Sequence, residues 1–126
     1  MRNLELPGRS PVHGMNGMAA TSSALATQAA IEILKAGGNA MDGAIAACAE
    51  QCVVEPGSTG IGGDCFALYA PKGGAVKALN GSGRAAKAAT VEALKATGLT
   101  NELPQTSPHA VTIPAPISAW CRPHDA

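Results

Sequence analysis

From residue 24 to residue 36 the chain reads ALATQAAIEILKA, and Gln28, Glu32 and Lys35 recur at i, i+4 and i+7. Ala29, Ala30, Ile31, Ile33 and Leu34 fill the other positions. This pattern predicts a helix over 24–36 with a wide apolar face and a narrow wet one. Ser22 or Ser23 can cap its start, and Gly37-Gly38 can end it, because glycine fits the left-handed position after a helix. A second helix is expected over 40–54. Asn39 can cap it and Asp42 sits near its positive end, while Pro56 stops it. Its interior carries Ala44, Ala46, Ala47, Cys48 and Ala49. Small residues on several sides let neighbouring backbones come close, so this helix is expected to be sandwiched.

The next stretch, EPGSTGIGG at 55–63, has four glycines in its last seven positions. It predicts a loop with unusual backbone angles, shaped for close approach to another segment or to a substrate oxygen. Apolar residues at 65–70 and 75–79, separated by Pro71-Lys72-Gly73-Gly74, predict a β-hairpin. Both faces of its first strand are apolar, so both are expected to be covered. A small-residue loop follows at 80–89. Thr90 can cap a short helix at 91–97. A third strand is expected at 109–113, cut by Pro114 and Pro116, and Ser118–Cys121 can open another helix. Residues 1–20 carry breakers and no period, and read as an irregular arm.

Composition changes the meaning of this pattern. The chain has 126 residues, and alanine supplies 26 of its apolar positions, whereas Leu, Ile, Val and Phe together number 22. Gly and Pro add 24 more residues. So little bulk, at zero net charge, does not signal disorder. It suggests small residues packed tightly within a larger body, so that 1–126 is expected to be a partial domain. The charge balance gives no electrostatic case for nucleic acid or for an anionic membrane. No run reaches the length of a membrane span. The polar stretch from Met1 to Pro11 has no apolar signal region, which favours a cytoplasmic location, or a periplasmic or secreted one if the chain starts elsewhere.

Candidate chemistry is sparse. The four cysteines, 48, 52, 65 and 121, are irregularly spaced and read as small buried thiols, with Cys48 and Cys52 sharing a helix face. Cys121 and His124 have a ligand-like spacing without a second pair, so no metal is expected. The glycine loop runs from helix to strand and lacks Lys-Ser/Thr after its last glycine, which argues against a nucleotide site; no cofactor is expected. No G-x-S-x-G elbow occurs. Glu55 reads as a solvated helix end. Arg84, a long cation among tiny side chains, has room to reach an anion bidentately.

Four strings in order, NGMAATSSALAT (16–27), EILKAGGNAMDGAIAA (32–47), VVEPGSTGIGGD (53–64) and ALNGSGRAAKAA (78–89), resemble the γ-glutamyltranspeptidase family. A weaker likeness continues through VTIPAP and AWCR (111–122). The resemblance implies an α/β fold: the incomplete N-terminal portion of an αββα N-terminal-nucleophile hydrolase. It also implies a precursor that cuts itself, so that a Thr becomes the first residue of a small subunit. That Thr attacks the γ-glutamyl amide with its own amino group as base, and the acyl group passes to water or an amine. The resemblance places this nucleophile outside 1–126, so no catalytic residue is assigned.

The family pattern at the substrate carboxylate is Asp-Gly-Arg-Glu-Thr-Ala-Pro. Here Asn80-Gly81-Ser82-Gly83-Arg84-Ala85-Ala86 stands in its place. Ser82 takes the arginine position and Arg84 follows two later; both are substrate-binding candidates. This departure points toward the acylase- and amidohydrolase-like branch. The implied partners are a small-molecule γ-glutamyl or acyl-amide substrate, the remainder of the large subunit, and the small subunit. The chain alone is expected to be inactive. The alternatives are a non-catalytic remnant or binding module, and a subunit complemented in trans.

Overall fold

The computed structural model describes residues 11–124. Residues 11–20 form neither helix nor strand, and the first ten residues of the expected arm lie outside the described ones. Helix α1 spans Ala24–Lys35. Ser23 stands at its N-cap, yet makes no side-chain cap bond. Neither serine caps as expected, because Ser22 Oγ donates instead to Glu55 Oε2 at 2.6 Å. The C-terminus closes in a Schellman arrangement: Gly37 N–H reaches Leu34 O at 3.2 Å and Gly38 N–H reaches Ile33 O at 3.0 Å. Gly37 has φ 99°, a conformation glycine adopts without penalty.

Helix α2, Ala40–Val54, starts in a full capping box. Asn39 Oδ1 accepts from the Met41 and Asp42 amides at 2.7 and 3.2 Å, and Asp42 Oδ2 accepts from the Asn39 amide at 2.8 Å. The core is the crossing of α1 and α2, where Ala26, Ala30 and Ala47 are buried. Gly43 is buried there too; a Cβ on it would lie 3.4 Å from the Ala30 carbonyl oxygen. Alanine and glycine thus set how closely the backbones approach. The expected sandwich is formed on one face only, since Ala44, Cys48, Ala49 and Val53 are exposed.

Strands β1, Cys65–Tyr69, and β2, Lys77–Gly81, form an antiparallel pair with Cys65 opposite Gly81 and Tyr69 opposite Lys77. The second strand lies two residues later than expected, with Ala75 and Val76 outside the ladder. Gly73 takes φ 73° in that turn. Gly81 is placed where a Cβ would collide with Ala119 and crowd Cys65. The β1 face carrying Phe66 and Leu68 is open, at 67% and 79% exposure, against the expectation that both faces are covered. Helix α3, Val91–Ala96, is capped by Thr90 as expected.

The expected strand at 109–113 does not form. Ser107 caps a short 3-10 turn over Pro108–Ala110, and residues 111–115 run on outside any ladder. Proline at 114 and 116 removes donors that a ladder would need. Helix α4 spans Pro116–His124, longer than expected. Pro116 suits a first helical position, where its missing N–H costs nothing, and Ala119 N–H reaches back to Ala115 O at 3.0 Å. α4 packs on the end of β2 and on α2. Among the described residues no helix is long and apolar enough to cross a membrane.

Candidate substrate-binding loop

The glycine loop begins at Glu55, the C-cap of α2. Its carboxylate is a hub rather than a solvated end. Oε2 accepts from Ser22 Oγ at 2.6 Å, Gln51 Nε2 at 3.2 Å and Ser58 Oγ at 3.5 Å. The Glu55 carbonyl accepts from the Ser58 and Thr59 amides, both at 3.1 Å. The start of α1, the end of α2 and the loop are therefore joined at one carboxylate. Ser22, 33 residues away, gives no sequence-local sign of this contact.

The glycines do not use left-handed backbone. The described positive-φ glycines are Gly37, Gly73 and Gly98, none of them in 55–63. A Cβ at Gly57, Gly60 or Gly62 would meet nothing within 4 Å. The expected unusual angles are absent, and open space lies beside these positions.

The loop ends at Asp64, which sequence reading left without a role. Asp64 Oδ1 accepts the Gly83 amide at 2.8 Å and the Thr112 hydroxyl at 3.4 Å. Beside it, Ala115 N–H approaches Gly63 O at 3.5 Å, and Ile113 N–H donates to Arg84 O at 2.9 Å. Gly83 has no room for a side chain: a Cβ would collide with the Ile113 carbonyl oxygen and with Thr112. Three segments, 63–64, 83–84 and 112–115, are thus tied together.

Ser82 and Arg84, the two residues singled out in the sequence, flank this tied glycine and are both exposed. Ser82 N–H donates to Asn80 Oδ1 at 3.0 Å, which folds the loop back at the end of β2. Among the described residues no carboxylate forms an ion pair with the Arg84 guanidinium.

An apolar groove of about 440 Å³ between α1, α2 and α4 is lined by Ile33, Ile45, Ile117 and Trp120. It contains neither Ser82 nor Arg84. No cluster of three or more metal-ligating side chains occurs among the described residues. The side chain of His124, half of the Cys121/His124 spacing, lies outside them. All four cysteines are free, and none is fully buried as expected. Cys48 is exposed as a residue, yet burial of its sulfur pushes its thiol pKa up, with Cys65 and then Cys52 adding to the rise.

A family model described as γ-glutamyltranspeptidase matches residues 26–126. The chain belongs to the γ-glutamyltranspeptidase family. An oxamate amidohydrolase proenzyme of Klebsiella pneumoniae is 38% identical over 106 residues, covering 83% of this chain and 20% of that protein. The fold superposes on the Helicobacter pylori γ-glutamyltranspeptidase with TM-score 0.77 at 28% identity, covering 87% of this chain and 32% of that one. A cephalosporin acylase from Bacillus halodurans matches with TM-score 0.75 at 44% identity, covering 94% of this chain and 23% of that one. The matched stretch spans about a fifth of the length of two of the curated relatives and about a tenth of the others. The mixed helix and hairpin arrangement is thus part of the α/β fold of N-terminal-nucleophile hydrolases, in a family of hydrolases and transferases.

Proposed function

We propose that residues 1–126 are the N-terminal part of the large subunit of an amidase or acyltransferase, and that the segment Ser82–Arg84 binds the carboxylate of its substrate. The observation that carries this reading is the held loop with an unpaired cation: Gly83 is tied to Asp64 while the Arg84 guanidinium has no carboxylate partner among the described residues. A guanidinium presents its donors in a fixed fork that matches a carboxylate. Ser82 adds a hydroxyl two residues away.

The replacement of the family's arginine by Ser82, with Arg84 two residues on, favours acyl-amide or short amidated acids over strict γ-glutamyl donors. Likeness to an oxamate amidohydrolase and to a cephalosporin acylase supports this direction. Relatives named as proenzymes support a partner chain that carries the nucleophile. The 126-residue chain alone turns over neither γ-glutamyl-p-nitroanilide nor oxamate on this reading. Its cellular form contains the remaining large-subunit fold and a small subunit.

The test is a carboxylate titration of the labelled chain, followed by amide resonances. Oxamate and glutarate shift the resonances of 82–84 in the wild type and leave them unmoved in Arg84→Ala. Equal shifts in both proteins would remove Arg84 from the site.

A further inference from the structure

We infer that Asp64 is the positioning residue of the substrate-carboxylate loop, holding Gly83 from one side so that Arg84 leaves a fixed backbone. This rests on the reading of Ser82–Arg84 as the substrate-facing segment. A bland account of Asp64 is a solvated carboxylate at the start of a strand. Asp64 is exposed, yet its contacts give it a structural task. One oxygen, Oδ1, takes donors from residues 19 and 48 positions away in the chain. Those donors belong to the two segments that must meet for the loop to close.

The backbone of residue 84 is held on both sides. The preceding residue is held through the Gly83 amide, and Arg84's own carbonyl accepts from Ile113 at 2.9 Å. What remains free is the guanidinium arm. The absence of a side chain at 83 belongs to the same device, since any Cβ there would drive residues 112–113 away from the loop. An ionised carboxylate suits this role because hydrogen bonds to a charged acceptor are about twice as strong as neutral ones. Held geometry counts in an amidase, because a misplacement of about 1 Å can cost roughly a hundredfold in rate.

The experiment uses the whole 126-residue chain and three variants: Asp64→Ala, Asp64→Asn and Arg84→Ala. Amide hydrogen exchange and titration with oxamate and glutarate are read in parallel. In Asp64→Ala, exchange at Gly83 and Ile113 is expected to rise about fivefold, the loss of one hydrogen bond near 1 kcal/mol, while α1 and α2 amides keep their rates. Asp64→Asn retains an oxygen acceptor and is expected to fall between the two, for exchange and for probe affinity alike. Arg84→Ala abolishes probe binding with exchange unchanged.

Unchanged exchange at Gly83 in Asp64→Ala overturns the inference. So does a loosened loop with full probe affinity, or a rise in exchange spread evenly over the chain. If Asp64→Ala does not fold, Asp64→Asn decides: wild-type exchange and affinity in it overturn the inference. A wild-type chain that binds neither probe sinks the carboxylate-site reading instead, while the exchange rates still judge the tie between Asp64 and Gly83.

Discussion

Replacing Ala30 by leucine strikes the close crossing of α1 and α2. Ala30 is 3% exposed, and its carbonyl lies 3.4 Å from where a Gly43 Cβ would stand. The facing Leu34 Cγ lies 3.5 Å from the same point. The two helices therefore meet where Gly43 offers no side chain and the buried Ala30 and Ala47 offer one carbon each. Leucine adds three carbons to a space without room for them, and overpacking of this kind costs about 1–3 kcal/mol. The helix-propensity difference between alanine and leucine is far smaller. For a chain of this length about 4 °C of Tm corresponds to 1 kcal/mol, so a fall of roughly 4–12 °C is expected. Ala44→Leu is the control, because Ala44 lies on the exposed face of α2. It is expected to change Tm by less than about 2 °C, as surface substitutions usually do. Thermal unfolding followed by circular dichroism at 222 nm reads both variants. Equal shifts would refute the claim that close backbone approach holds α1 to α2.

Asn39→Ala removes the acceptor of two α2 amides and should cost about 1 kcal/mol in a urea titration. Gly83→Ala should free the 111–115 segment, raising exchange at Ile113 and weakening oxamate binding, with α1 and α2 protection retained. Cys48, whose thiol pKa is raised, should react with iodoacetamide more slowly than free cysteine at pH 8.5, because the thiolate is the nucleophile. The same shift has a defined sign for stability. The folded form holds the Cys48 proton more tightly than the unfolded form, so the contribution is constant at low pH. It is lost as pH climbs from the ordinary thiol pKa of 9.0 toward the raised one. A urea midpoint that rises over that interval in wild type relative to Cys48→Ala would contradict it.

The helices were legible because their signals are local. The polar stripe Gln28, Glu32 and Lys35 set the face of α1, and Asn39 with Asp42 marked the start of α2. Gly37-Gly38 marked a stop through a backbone angle that only glycine takes freely. The hairpin was legible as a pair of strands but not in register, because its register depends on Gly81 meeting Cys65 and Ala119. The strand expected at 109–113 failed because β-favouring residues there lie between prolines that cannot donate to a ladder. Pro116 reads as a breaker in sequence, yet it opens α4.

The same division holds for the loop. Ser82 and Arg84 stood out from their small neighbours, whereas Asp64 and Glu55 did not. Each of these two carboxylates acts on residues far along the chain, and no local pattern announces such a contact. The opening of the Phe66/Leu68 face has the same origin. A doubly apolar strand shows that both its sides want cover, and only the fold shows which side has it.

On the proposed function, this chain is one part of an amidase whose nucleophile lies on a partner chain. The decisive experiment is purification of the native protein from its source cells, with intact mass and N-terminal sequencing of whatever accompanies it. The expected result is a polypeptide carrying these residues held to a second chain whose first residue is Thr, with amidase activity in the complex. A lone 12.5 kDa polypeptide with no such companion and no amidase activity would contradict it.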